Sequence, residues 1–205
     1  MERHSDVSLA IIAGGQGSRL AGTPKGLLTY HGRSFLSRVL DLQSALGEVL
    51  LVANEPAPYA AYLLRTVADA IPNRGAPGGV HAALTHARTE WILAVGCDMP
   101  FVTRAAVELL LSARADQTDI VAFEINGTLE PLLALYRSAI AATWGSALSS
   151  HPSFRDLFRA FRTTLLSEET LKAVDPGMRA TVSINTPEDL ARFGVQLPDL
   201  VPTAP

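Results

Sequence analysis

Cysteine is almost absent from the 205-residue chain, where Cys97 stands alone. One thiol closes no intrachain disulfide and is too few for a structural zinc site, so redox and zinc chemistry are not expected. Positive charge is not in excess either, since 17 basic and 20 acidic residues leave a formal charge of -3. Duplex nucleic acid and anionic membrane surfaces both require a basic face, so neither is an expected partner and any polyanion handled must be small. No apolar run approaches the ~20 residues that span a bilayer. Mean hydropathy is nevertheless +0.20, and the most apolar stretches, Glu48–Ala53 and Trp91–Cys97, read as short buried strands. Met1–Ser8 is polar, with both charge signs, and lacks the basic region and apolar core of a secretory signal. The expected compartment is the cytoplasm. Lysine is scarce too: only Lys25 and Lys172 occur, the rest of the basic residues being arginine.

At roughly 100 to 200 residues per domain, the length predicts one domain able to bury about 70% of its unfolded surface. Leu9–Ile12 is a strand-like apolar run ending in Gly14-Gly15-Gln16-Gly17-Ser18-Arg19. Phe35, Leu36, Val39, Leu40 and Leu46 follow helical spacing, and Glu48–Ala53 then reads as a second strand. Helices are predicted over Pro58–Val67, Gly79–Arg88 and Thr103–Ala113, with a strand at Trp91–Gly96 between the last two. Alternating strands and helices imply an α/β three-layer sandwich around a mostly parallel sheet. Asn126-Gly127 between the apolar runs Asp119–Glu124 and Leu132–Tyr136 is a hairpin signal, hence a small antiparallel excursion. Thr186-Pro187-Glu188-Asp189 carries an N-cap threonine, proline at the first helical position and an acid three residues on, which starts a last helix. The expected domain is 9–195, between a tail at 1–8 and an irregular tail at 196–205.

Ligands of open parallel sheets lie beyond the carboxyl ends of strands, which singles out three loops. The first, Ala13–Lys25, holds four glycines with Arg19 and Lys25. Its composition suits a nucleoside triphosphate, because glycines let amides approach phosphate while cations neutralise it. It reads equally as a tight turn with two solvated cations, and it fits neither the dinucleotide fingerprint nor the Walker loop. The second, Cys97-Asp98-Met99-Pro100, puts a carboxylate at a strand end, where it either holds magnesium facing substrate phosphates or caps the helix near Thr103. The third, Asn73–Gly79, is a glycine-proline turn that either walls a nucleotide base or is only a turn.

The three loops together resemble molybdenum cofactor guanylyltransferases. Members of that family show LAGG-x-x-S-R-M-G and a lysine, then G-P-L-A-G, then C-D-x-P, and finally N-T-P-E-D-L. This chain reads Ile12-Ala13-Gly14-Gly15-Gln16-Gly17-Ser18-Arg19-Leu20, Lys25-Gly26-Leu27-Leu28, Gly75–Gly79, Cys97-Asp98-Met99-Pro100-Phe101 and Asn185-Thr186-Pro187-Glu188-Asp189-Leu190. The resemblance spans nearly the whole chain and implies the Rossmann-like nucleotide-diphospho-sugar transferase fold. It implies transfer of GMP from GTP to the phosphate of molybdopterin, with magnesium and release of pyrophosphate, the product passing to other cofactor-synthesis proteins or molybdoenzymes. By likeness, Ala13, Gly14 and Gly15 hold the triphosphate, Arg19 and Lys25 sit on its oxygens as catalytic cations, and Asp98 carries the metal. Asn54, Asp69 and Gly78 match nucleotide-site positions, and Asn185 matches an acceptor contact.

The family pattern is departed from at Pro24, where an acid often precedes the lysine, at Leu20, at Gly75-Ala76-Pro77-Gly78-Gly79 and at Ser183. Glu130-Pro131-Leu132 resembles a family proline motif on the acceptor side, without a role for Glu130. A CTP- or sugar-phosphate-type transferase and a non-catalytic nucleotide-binding module are the rival readings. His81 and His86, five apart, do not share a helix face as a metal pair would. Cys97 reads as a packed strand residue. Arg155, Arg159 and Arg162 read as the solvated face of an amphipathic helix, with an anion-binding patch as the sharper alternative.

Overall fold

The computed structural model describes residues 3–14, 19–20 and 22–198, the side chain of Arg19 excepted. The central sheet begins with β1 (His4–Ile12). Val7, Leu9 and Ile11 pack on one face and Ala10 and Ile12 on the other, the alternation of a strand covered on both sides. The strand therefore reaches back into the expected tail, since Val7 is fully buried and the Ser8 hydroxyl donates to Glu48 Oε1 at 2.9 Å. Then follow β2 (Leu46–Val52), β3 (Thr66–Val67), β4 (Trp91–Gly96), β5 (Ile120–Ile125), β6 (Thr128–Arg137) and β7 (Thr163–Ser167). Their spatial order is β7–β5–β6–β4–β1–β2–β3. All run parallel except β6, which is antiparallel to both β4 and β5. The predicted excursion is thus the β5–β6 hairpin, turned by Asn126 at φ 50° and Gly127 at φ 71°, the left-handed pair that a two-residue hairpin requires.

The helices among the described residues are α1 (Phe35–Val39), α2 (Gly75–His86), α3 (Arg104–Ser112), α4 (Ala141–Ala147), α5 (Phe154–Ala160), α6 (Glu168–Lys172) and α7 (Pro187–Phe193). α1, α3 and α6 cover one face of the sheet, burying Leu36, Leu110 and Leu171 with Leu9, Leu93 and Phe123. α2, α4 and α5 cover the other, burying Val80, Trp144 and Leu157 with Ile12, Ile92 and Tyr136. These are the three layers expected from the alternation of elements. A smaller cluster of Leu28, Phe35, Phe101 and Ile184, with half-buried Leu190 and Phe193, seats α7 over one end of the sheet.

Four boundaries differ from the sequence reading. The expected helix Pro58–Val67 is a 3-10 turn, Ala57–Tyr62, ended by Leu63 at φ 52° and followed by β3, because β-branched Thr66 and Val67 pair with Leu51 and Val52. Leu46 belongs to β2 rather than to the preceding helical run, which tightens into a 3-10 turn at Leu40–Ala45. The glycine-proline stretch Gly75–Gly79 does not precede α2 but forms its first turns, where Pro77 loses no helical hydrogen bond. The C-terminal stretch is pinned where it begins, Thr29 and Gln196 exchanging backbone hydrogen bonds of 2.8 Å in both directions.

Candidate active site

β1, β2 and β4 end side by side, and their pairing continues into the first loop residues. Ala13 N donates to Val52 O at 2.8 Å, Cys97 N to Ile12 O at 3.0 Å and Ala53 N to Val67 O at 2.9 Å. Loops launched from such fixed points enclose a cleft of about 620 Å³ at the carboxyl edge of the sheet. Ala13, Gly14, Lys25, Asn54, Asp69, Asp98 and Asn185 all line it. Gly15 lies outside the described residues, and Arg19 is described only by its backbone, which pairs with Pro24 in a two-stranded ribbon.

Lys25 opens a 3-10 turn, Lys25–Leu27, and is only 8% exposed. A buried ammonium needs partners, and Lys25 Nζ donates to Asp98 Oδ2 at 3.3 Å and to Asn185 Oδ1. Asp98 stands in the turn closed by the hydrogen bond from Met99 N to Gly96 O. A Cβ at Gly96 would lie 2.7 Å from Asp98 Oδ1, so the glycine makes room for the carboxylate. Asp98 is not the cap of α3, because the Thr103 hydroxyl accepts from Ala106 N at 3.2 Å and fills that role. Its Oδ1 makes no hydrogen bond among the described residues.

Asn185 is fixed by α7. Asp189 Oδ2 accepts the amides of Asn185 and Thr186, each at 2.9 Å, while Thr186 Oγ1 accepts Asp189 N at 3.1 Å. This is the capping box legible in the sequence. Ile184 N donates to Asp98 O at 3.0 Å, so the end of the chain is also tied to the β4 loop.

Across the cleft Asn54 and Asp69 bond reciprocally, Asn54 Nδ2 donating to Asp69 Oδ2 at 3.0 Å and Asp69 N to Asn54 Oδ1 at 2.9 Å. Asp69 Oδ1 is buried with no hydrogen-bond partner among the described residues. A buried acceptor left unmade costs roughly 1–3 kcal/mol, so a donor arriving with a ligand would be favoured there. Gly78 does not itself line the cleft but lies buried in α2 behind Asp69, where an added Cβ would meet Arg74 Cβ at 2.8 Å. Gly75 and Ala76, a turn earlier, form the wall instead. Composition missed Tyr59, which is buried against Gly26, where a Cβ would lie 3.0 Å from its ring. That pairing is tertiary and leaves no local pattern. Leu132 also lines the cleft, as the proline motif suggested, whereas Glu130 does not.

Burial, reinforced by Asp98, pushes the Cys97 thiol up to about 12, which leaves it protonated and unreactive. Among the described residues no three His, Cys, Asp or Glu side chains cluster to hold a metal. His81 instead packs against α4 at Gly145, and burial followed by the nearby His86 lowers its pKa. The three arginines do not share a helix face. α5 ends at Ala160, beyond it Arg162 grips Asp119 through two hydrogen bonds of 2.8 and 2.6 Å, and Arg155 donates to the Gly127 carbonyl.

The family model of the MobA-like NTP transferase domain matches residues 9–174. A molybdenum cofactor guanylyltransferase of Desulfosudis oleivorans is 30% identical over 184 residues, covering 89% of this chain and 91% of its own. One from Vibrio cholerae is 29% identical over 200 residues, covering 95% and 94%. Among solved structures, molybdopterin-guanine dinucleotide biosynthesis protein A of Archaeoglobus fulgidus is similar with a TM-score of 0.77 at 25% identity, over 91% of this chain and 96% of that one. A CMP:2-keto-3-deoxy-manno-octonic acid synthetase solved with CTP shares the fold, with a TM-score of 0.66 at 14% identity over 91% and 96% of the two chains.

Proposed function

The chain belongs to the MobA-like NTP transferase family and is a nucleotidyltransferase of molybdenum cofactor biosynthesis, and from that premise we propose that it transfers GMP from GTP to the phosphate of molybdopterin, forming the guanine dinucleotide of the cofactor and pyrophosphate. The observation that carries this reading is the buried Lys25 held between Asp98 and Asn185 on the floor of the cleft.

The acceptor phosphate is already anionic and nucleophilic, so no general base is required of the protein. The barrier is electrostatic: two anions must meet at the α-phosphorus, and the leaving pyrophosphate gathers further charge. Lys25 supplies a fixed cation there. Gly14, with no side chain, leaves the backbone after β1 open to phosphate, and Arg19 is assigned to the same oxygens by its place in the loop. Asn54 and Asp69 hold the nucleoside through its N–H and O–H donors, the unpartnered Asp69 Oδ1 being the acceptor they reach. Asn185, across Lys25 from the nucleotide side, orients the acceptor.

The donor set fits magnesium. This ion commonly takes one or two carboxylates and completes its shell with substrate phosphates and water, and Asp98 offers an oxygen free of hydrogen bonds among the described residues. Bound there, it would neutralise phosphate charge. We place the reaction in the cytoplasm; no helix among the described residues is long and apolar enough to cross a membrane.

Incubating the protein with magnesium, molybdopterin and either GTP or CTP, then weighing the cofactor, tests the reading. A mass gain of one GMP, dependent on magnesium and absent with CTP, is expected. A cytosine dinucleotide, or GTP binding without any transfer, would overturn it.

A further inference from the structure

A second cleft, of about 330 Å³, opens beside the first, between the β4 loop, α1 and the segment before Ile184. Three arginines line it, Arg38, Arg104 and Arg179, with two acids, Asp41 and Asp175. Both acids have partners outside the cleft, and Asp41 also feels the charge of Arg38. Asp41 is held by Arg33 through two hydrogen bonds of 2.9 and 2.8 Å, which keep its carboxyl below the usual range, and Asp175 Oδ2 accepts Ala180 N at 2.7 Å. Arg104 is paired with Glu108 at 3.2 Å.

Arg38 and Arg179 are positioned by rings rather than by acids. The Arg179 guanidinium lies 4.2 Å from the Phe101 ring centre, and that of Arg38 lies 5.0 Å from the Tyr30 ring centre. Arg38 donates Nε to the Pro100 carbonyl at 3.0 Å, and its terminal nitrogens make no hydrogen bond among the described residues. Arg179 makes one long bond, 3.4 Å, from Nη2 to the Tyr30 hydroxyl. Guanidinium groups stacked on aromatic faces keep their N–H edges outward, the geometry that grips a phosphate oxygen pair.

We propose that this cleft is a second oxyanion site, taking inorganic phosphate or pyrophosphate through Arg38 and Arg179, separate from the nucleotide cleft. It borders the catalytic loop directly, since Pro100 and Phe101 closely follow Asp98 in the chain, and Arg179 leads toward Asn185. The released diphosphate therefore has a binding site adjoining its point of release.

The test is a titration of inorganic phosphate, and separately of pyrophosphate, into the full-length protein saturated with GTP and without acceptor, read by the arginine Nε–H resonances in nitrogen-edited NMR spectra. The Arg38 and Arg179 signals are expected to shift saturably, and Arg179→Gln, at an exposed position and checked by its melting temperature, to weaken phosphate binding at least tenfold while GTP affinity holds. Tighter binding of pyrophosphate identifies the product as occupant, and tighter binding of phosphate identifies the free ion. Unmoved arginine signals, an unchanged affinity in Arg179→Gln, or a response that GTP abolishes would each overturn the site.

Discussion

Lys25 illustrates how much rests on single side chains. It is buried, and its two partners lie 73 and 160 residues further along the chain. Removing one preorganised electrostatic partner typically costs two to three powers of ten in turnover. Lys25→Ala and Asp98→Ala are each expected to lower kcat/KM roughly 100- to 1000-fold; a fall below about fivefold in folded protein would remove them from the mechanism. Gly96→Ala tests the same carboxylate while leaving Asp98 itself in place, because the new methyl would sit 2.7 Å from Asp98 Oδ1 and displace it. It should cost at least about tenfold in kcat/KM through misplacement of that group, and wild-type kinetics would contradict it. Glu130 titrates in the opposite sense to a paired acid. Burial raises its carboxyl from 4.5 to about 7, so below 4.5 it is protonated in both states and costs nothing. Between those values the unfolded chain ionises while the fold does not, and stability falls as pH rises. The melting temperature of Glu130→Gln relative to the parent should therefore climb between pH 4.5 and 8; a constant difference would be inconsistent with a buried carboxyl. Asp98 and Lys25 were legible as residues, one at a strand end and the other a rare lysine. That Asp98 does not cap α3 was not, since only the fold shows that Thr103 occupies the cap.

Among the elements, α7 couples local structure to the cleft. Its capping box is written in four consecutive residues, and the same carboxylate that satisfies Thr186 N also satisfies Asn185 N. Asp189→Ala should cost about 1 kcal/mol, the usual worth of a cap, and should also reduce turnover because Asn185 loses its anchor. Thermal melts and kinetics on one preparation check both; a stability loss with intact turnover would detach α7 from the reaction. The β5–β6 hairpin and β4 were equally legible, because Asn-Gly and a fully apolar run leave little choice. The expected Pro58–Val67 helix failed for the reason those succeeded: its outcome was decided at a distance, by pairing of Thr66 and Val67 with β2. The turn before α2 was misjudged because glycine and proline punctuate loops and first helical turns alike.

The three-layer architecture followed from alternation of strand and helix, since each face of a parallel sheet must be covered. The convergence of the three loops on one cleft did not; only the family resemblance joined residues so far apart in sequence. Trp144 shows what the assembled molecule adds. It is fully buried, its ring lies near Tyr136, Phe154 and Phe161, and its Nε1 donates to the Pro77 carbonyl at 3.0 Å. The core under the second face therefore steadies the start of α2 that walls the cleft. Trp144→Ala should destabilise the protein by about 3–5 kcal/mol, and denaturant midpoints measure it. A loss under about 1 kcal/mol would mean the layer repacks around the gap.

The bond between Lys25 and Asn185 also ties distant stretches of sequence into one wall. Asp98 lies 73 residues beyond the lysine, whereas Asn185 lies 160 beyond it. A chain shortened before residue 185 would keep the carboxylate but lose the amide oxygen that accepts from Lys25 Nζ. Such a chain is expected to leave this buried ammonium half satisfied, a cost the longer polypeptide avoids.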